Sequence, residues 1–264
     1  MSNKGLLIVS FGTSHMDARA KQIEPIVQKL QSGFPDYKIY EAYTSQMILS
    51  MLKKEQNISI FNLTEAFSQM KKDGITDVVV QPTHVIPGIE NDNMLDVVEQ
   101  YKPDFRSIVV GNPLLYATKD YEYIVENLGK YFSENGHLDG RAVILMGHGT
   151  SHYTNSSYCA LEYMFRAKGY EQVFVATVEA FPDLEQVMIQ LRQENYQQLS
   201  LFPFMIVAGD HAKNDMAGDA EDSFQSILMK KGYDVTSYLK GLGEFETIQD
   251  LFVAHAQAAL ECAQ

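Results

Sequence analysis

Tryptophan is missing from this 264-residue chain, and cysteine is nearly so: the two thiols, Cys159 and Cys262, lie far apart. So sparse a pair excludes a disulfide framework or a cysteine-based metal cluster, and a reducing cytoplasm is the expected compartment. Positive charge is also scarce. Lys and Arg number 21 against 34 Asp and Glu, a formal net charge of −13 at pH 7. That deficit argues against nucleic acid as a partner, because binding it depends on Lys and Arg contacts to phosphate. No apolar run is long enough to span a bilayer, so no membrane association is expected. GLLIVSF (5–11) turns polar too soon for a secretory signal, although a chain already stripped of one would read the same.

Common catalytic signatures are absent too. There is no Walker A loop and no G-x-S-x-G elbow. GHGTSH (147–152) begins like a dinucleotide fingerprint, but His152 stands near where a third glycine would let a helix pack closely. His148 and His152 share the i, i+4 spacing of a helical zinc pair without the following glutamate, in a strand-to-loop setting. His152, like His15, is expected to cap or steady its loop.

What is present is an alternation of apolar strand-like runs with helical patterns. Strands are expected at 5–11, 37–43, 77–82, 106–110, 141–147, 172–177, 197–202 and 233–237. Tyr121, Ile124, Val125, Leu128 and Phe132 form one helical stripe, and Leu184, Val187, Met188 and Leu191 another. Both stripes are read as core. The pattern implies an α/β chain with parallel sheets covered by helices. The polar segment SENGHLDG (133–140) is the expected boundary between an N-terminal domain, 1–136, and a C-terminal one, 137–264.

The two halves repeat. Phe11-Gly12-Thr13-Ser14-His15 maps onto His148-Gly149-Thr150-Ser151-His152, 137 positions on. VVVQPTHVIPGIE (78–90) maps onto LSLFPFMIVAGDH (199–211), pairing Pro82 with Pro203, Gly88 with Gly209 and Glu90 with His211. An internal duplication giving two similar doubly wound domains, flavodoxin-like or Rossmann-like and facing a central cleft, is the expected fold.

Ligands of such sheets bind beyond the carboxyl ends of the strands, where several reactive side chains fall. His148 stands between glycines that leave both faces of its ring open. His211 follows an apolar strand and a glycine within the acidic segment AGDHAKNDMAGDAEDSF (208–224), in which Asp219, Glu221 and Asp222 suit a solvated helix start. Glu90 and Glu179 also follow strands, where either could be a cap or a loop ligand. Two imidazoles with one or two carboxylates make a plausible site for a borderline transition metal.

SFGTS (10–14), GNPLL (111–115), MGHGTSH (146–152), VEAFP (178–182), VAGDHAKNDMAGDAEDS (207–223) and GLGE (241–244) resemble the single-chain sirohydrochlorin cobaltochelatases of anaerobic cobalamin biosynthesis. These are class II chelatases, related to protoporphyrin ferrochelatase. The likeness runs from about residue 4 to residue 257, and Phe224 departs from it where the family carries tryptophan. The resemblance implies a chelatase-like fold and ATP-independent insertion of Co²⁺ into sirohydrochlorin, or precorrin-2, in a cleft between two domains. It places catalysis on His148, His211 and Glu90, and metal binding on His148, His211 and Glu179. Ser10, Gly12, Thr13, His84 and Gly149 are the candidates for holding the tetrapyrrole. No organic cofactor is implied; Fe²⁺, Ni²⁺ or Zn²⁺ are alternative ions in vitro. The oligomeric state stays open between monomer and homo-oligomer.

An acidic protein that takes an octacarboxylate must gather local cations or use backbone N–H groups, for which Lys213 and Gly12-Thr13-Ser14 are candidates. Two rival readings share these residues: a ferrochelatase or other-metal chelatase, and a non-catalytic metal or tetrapyrrole carrier. Glu90 favours catalysis, because simple coordination has less need of an added base.

Overall fold

The computed structural model describes residues 3–194 and 196–262. The chain divides into two compact units, one comprising the residues up to Tyr116 together with those from Gly243 on, the other Ala117–Leu242.

In the first unit, β1 (Lys4–Ser10) leads through α1 (Met16–Ala18) and a π-helical turn, Arg19–Ile23, into α2 (Glu24–Gly33). There follow β2 (Lys38–Tyr43), α3 (Gln46–Glu55), α4 (Leu63–Lys72), β3 (Asp77–Pro82), α5 (Ile89–Tyr101) and β4 (Ser107–Val110). The strands form a parallel sheet in the order β2-β1-β3-β4. Leu6, Leu7, Ile8 and Val9 are buried in succession, as a strand covered on both faces requires. Each such side chain contributes roughly 1.5–3 kcal/mol by leaving water. Helix α4 starts where Asn62 and Glu65 cap each other's backbone N–H groups.

The second unit runs α6 (Thr118–Glu134), β5 (Arg141–Gly147), α7 (Ser156–Ala167), β6 (Val173–Thr177), α8 (Leu184–Leu191) and β7 (Gln198–Pro203). A π-helical segment, His211–Met216, then precedes α9 (Phe224–Lys230) and β8 (Asp234–Ser237). Its parallel sheet has the order β6-β5-β7-β8, the same topology as the first. Last comes α10 (Glu246–Glu261), which belongs to the first unit.

All eight expected strands are found, with bounds shifted by a residue or so. The repeat holds at the level of register: Lys4 pairs with Asp77 in one sheet, and their counterparts Arg141 and Gln198 pair in the other. The expected helical stripes line the core, with Ile124, Val125, Leu128 and Phe132 buried on α6 and Leu184, Val187 and Leu191 on α8. Phe224 is buried in the second unit's apolar cluster.

The division differs from a cut at 136/137 in two respects. Helix α6 lies with the second unit, because Gly129 offers a notch that the Tyr170 ring fills and Phe132 packs against Phe202 and His137. The polar segment 133–140 is therefore a turn inside that unit. Helix α10 returns to the first unit, where Val253 packs on Gly33 and Lys29 pairs with Glu246 and Asp250. Among the described residues no helix is long and apolar enough to cross a membrane.

Candidate metal centre

At the carboxyl end of the second sheet, β5 delivers His148 into a tight loop. Gly149 has φ +85°, and a Cβ there would stand 2.9 Å from the Ala180 nitrogen and 3.0 Å from Thr177 Cβ. Only glycine fits both the left-handed conformation and that close approach. The loop is thereby pressed onto the segment after β6, whose backbone extends the parallel ladder: Val178 N–H donates to the Gly147 carbonyl at 3.1 Å, and Glu179 N–H to the His148 carbonyl at 2.9 Å. Asn155 braces the same two segments, accepting from Thr150 N–H and donating to the Phe181 carbonyl. Below them the Tyr158 ring packs against Gly147, and burial pushes its hydroxyl up to about 12, against the opposing pull of hydrogen bonds that its oxygen accepts from the Gly149 and His148 backbone.

His211 comes from a different element. It opens the π-helical segment after β7, which Ala212 and Met216, both fully buried, anchor to the core. A π turn is uncommon and is found often at functional sites, because its wider repeat redirects a side chain that an α-turn would aim elsewhere. The His148 and His211 rings meet edge to face, with centroids 4.5 Å apart.

His148, Glu179 and His211 each offer one donor atom, and these atoms lie within 4.8 Å of one another. Two donors about 2.1 Å from one ion stand about 3.4 Å apart at the tetrahedral angle, so small side-chain rotations bring the three onto a single metal. His148 Nδ1 stands 3.7 Å from Glu179 Oε2 and 2.9 Å from the Gly149 carbonyl. A carbonyl only accepts, so Nδ1 carries the proton and the Nε2 lone pair is left for a ligand. The three side chains remain partly open to solvent, at 42% for His148, 55% for Glu179 and 37% for His211. Three protein ligands in an open setting leave coordination positions for an incoming molecule, unlike the closed four-ligand cage of a structural site.

Thus the second unit brings together three of the expected residues, with Gly149 shaping their loop. The others belong to the first unit. Glu90 lies in the first turn of α5, half-buried. Ser10 is buried and accepts from the Thr83 hydroxyl at 2.9 Å, tying the end of β1 to the end of β3. Thr13, also buried, accepts from His15 N–H at 3.1 Å, and Gly12, at φ +101°, lies flat against the Tyr43 ring. Among the described residues His84 has no hydrogen-bond partner on either ring nitrogen, and burial lowers it to about 4. His152 serves its own loop: Nδ1 lies 2.8 Å from the Thr154 hydroxyl and caps the turn Tyr153–Asn155. Two contributors went unnoticed in the sequence. Asn155 carries no local signal, whereas Asp215, 2.5 Å from His211 Nδ1, stands four residues after it.

A family model described as cobalt chelatase (CbiK) matches residues 4–261. A sirohydrochlorin cobaltochelatase of Salmonella typhimurium is 35% identical over 260 residues, 98% of this chain and 97% of that protein. The sirohydrochlorin cobaltochelatase CbiKC of Nitratidesulfovibrio vulgaris is 29% identical, covering 98% of this chain and 92% of its own length. Among solved structures, SirB from Bacillus subtilis with Fe³⁺ shares the fold with a TM-score of 0.67 at 14% identity, covering 99% of this chain and 98% of that one.

Proposed function

The chain belongs to the cobalt chelatase (CbiK) family, and from that premise we propose that it is a sirohydrochlorin cobaltochelatase, inserting Co²⁺ without ATP in cobalamin biosynthesis. The observation that carries this reading is the convergence of His148, Glu179 and His211 at the carboxyl end of the second sheet. Two neutral imidazoles and one carboxylate suit a borderline divalent ion. They hold it without closing its coordination shell, so macrocycle nitrogens can replace protein ligands one at a time.

Insertion exchanges two pyrrole N–H protons for one dication, leaving the charge of the macrocycle unchanged. The protein therefore has to supply a base. We assign proton acceptance to Glu90, a carboxylate at a position that its counterpart His211 marks as a strand-end site. Glu179 balances part of the charge of the bound ion before transfer. Ser10, Gly12, Thr13, His84 and Gly149 act on the tetrapyrrole through the loops they shape more than through their own polar atoms, since Ser10, Thr13 and His84 are buried. Fe²⁺, Ni²⁺ and Zn²⁺ are expected to compete for the same donors in vitro. The two exposed thiols, Cys159 and Cys262, suit a reducing cytoplasm.

The test is an anaerobic spectrophotometric assay with sirohydrochlorin and Co²⁺. Wild-type insertion above the spontaneous rate is expected, with a loss of at least about 100-fold in His211→Ala, a range usual for a residue that acts on the reacting centre. Glu90→Gln should bind cobalt normally yet insert slowly. Tight cobalt binding with insertion no faster than background would identify a carrier and overturn the enzymatic reading.

A further inference from the structure

The two imidazoles of the metal centre are held by different devices. His148 Nδ1 meets the carbonyl of its own neighbour, Gly149, at 2.9 Å. His211 Nδ1 meets a carboxylate oxygen of Asp215 at 2.5 Å, across one turn of the π-helical segment. Ala212 and Met216 fasten that turn to the core, so His211 and Asp215 are held on its outward side, 37% and 45% exposed. We propose that Asp215 is a positioning residue of the metal centre, one that fixes His211 as the Nδ1–H tautomer and aims its Nε2 lone pair at the ion. This deepens the chelatase reading and rests on it for its purpose.

The argument follows from what each atom can do. A carboxylate accepts hydrogen bonds and does not donate them, so the contact requires the proton on Nδ1. That is the tautomer free histidine populates less in water, and it leaves Nε2 bare for a metal. A carboxylate behind a ligating imidazole also locks the ring's rotation and raises its basicity, and losing such a partner commonly costs 10- to 100-fold in metal affinity. A backbone carbonyl gives the same orientation without the charge. Asp215 is not among the three side chains whose donor atoms converge, which are His148, Glu179 and His211.

The tautomer can be read directly. In the metal-free full-length protein, long-range ¹H–¹⁵N spectra of labelled histidine show which ring nitrogen is protonated, and titration with Co²⁺ alone, followed by visible absorption, gives the affinity. Asp215→Asn keeps an acceptor oxygen; Asp215→Ala removes it. We expect Nδ1–H for His211 in wild type and in Asp215→Asn, with cobalt affinity in Asp215→Asn within a few-fold of wild type. Asp215→Ala should shift to Nε2–H and lose about 10- to 100-fold in affinity, with an unchanged circular dichroism spectrum. The proposal is overturned if Asp215→Ala keeps the tautomer or binds cobalt within twofold of wild type. It is equally overturned if Asp215→Asn, with its tautomer retained, loses as much affinity as Asp215→Ala, which would leave charge alone as the cause. Neither readout needs sirohydrochlorin, so absence of insertion by the wild-type protein would remove the chelatase reading and leave this assignment standing.

Discussion

Both ring nitrogens of His84 are sealed from solvent and, among the described residues, from hydrogen-bond partners, so the folded protein resists protonating this side chain. Burial lowers it to about 4, where an unfolded chain takes up the proton near 6.5. With its folded-state value depressed, a histidine contributes stability that is complete above the unfolded value and is lost as pH falls from about 6.5 to about 4. The full loss is about 3 kcal/mol. Unfolding by urea at pH 7 and at pH 5 should therefore show a smaller drop for His84→Gln than for wild type, whatever the variant's stability at pH 7. Equal drops in the two proteins would mean that the ring is solvated in the folded state. Such a side chain supports the end of β3 from within the fold. Burial of a single loop position such as this leaves no trace in the sequence.

At the scale of elements, each sheet uses the same loops for different ends. His148 corresponds to Phe11 and His211 to Glu90, and the ladder that pins Glu179 N–H to the His148 carbonyl recurs where Ser45 N–H meets the Phe11 carbonyl at 3.2 Å. One copy of the loop set thus carries three side chains able to hold a metal, and the other an exposed phenylalanine, a serine that caps α3 and a single carboxylate. This much was legible: apolar runs covered on both faces announce parallel strands, and reactive residues directly after them mark a binding end. Asp215 and Asn155 were not, since a π turn and a loop-to-loop brace are set by tertiary packing with no periodic pattern to betray them. Asn155 makes two hydrogen bonds that join the His148 loop to the segment after Glu179. Each is worth about 1 kcal/mol. Asn155→Ala is expected to weaken Co²⁺ binding about tenfold, and Asn155→Asp, which keeps the acceptor for Thr150 N–H, by less. Unchanged affinity in Asn155→Ala would show that the Gly149 contact alone aligns the two segments.

For the whole molecule, the path of the chain does not divide into units at a single point. The polar residues 133–140 look like a linker, yet the links between units fall near 116 and 243, and the second is followed by a helix that returns to the first unit. Composition locates polar stretches; it does not say which side of one a helix packs on. Net charge, by contrast, is a property that sequence states outright, and it carries a kinetic consequence. At −13 the protein repels an octacarboxylate at long range while attracting Co²⁺. Screening acts on both: the Debye length shrinks from about 30 Å at 0.01 M salt to about 8 Å at 0.15 M. Raising ionic strength across that range should therefore increase kcat/KM for sirohydrochlorin at saturating Co²⁺, and decrease the rate of Co²⁺ capture measured without the macrocycle. Initial rates at several concentrations of an inert salt separate the two, because each is read with the other substrate saturating or absent. A fall in kcat/KM for sirohydrochlorin would show that a local group of cations, Lys213 among the candidates, outweighs the acidic surface as the macrocycle approaches. The opposing responses are what a strongly acidic protein must show if it meets its anionic substrate through backbone N–H groups and loop shape in preference to lysine and arginine.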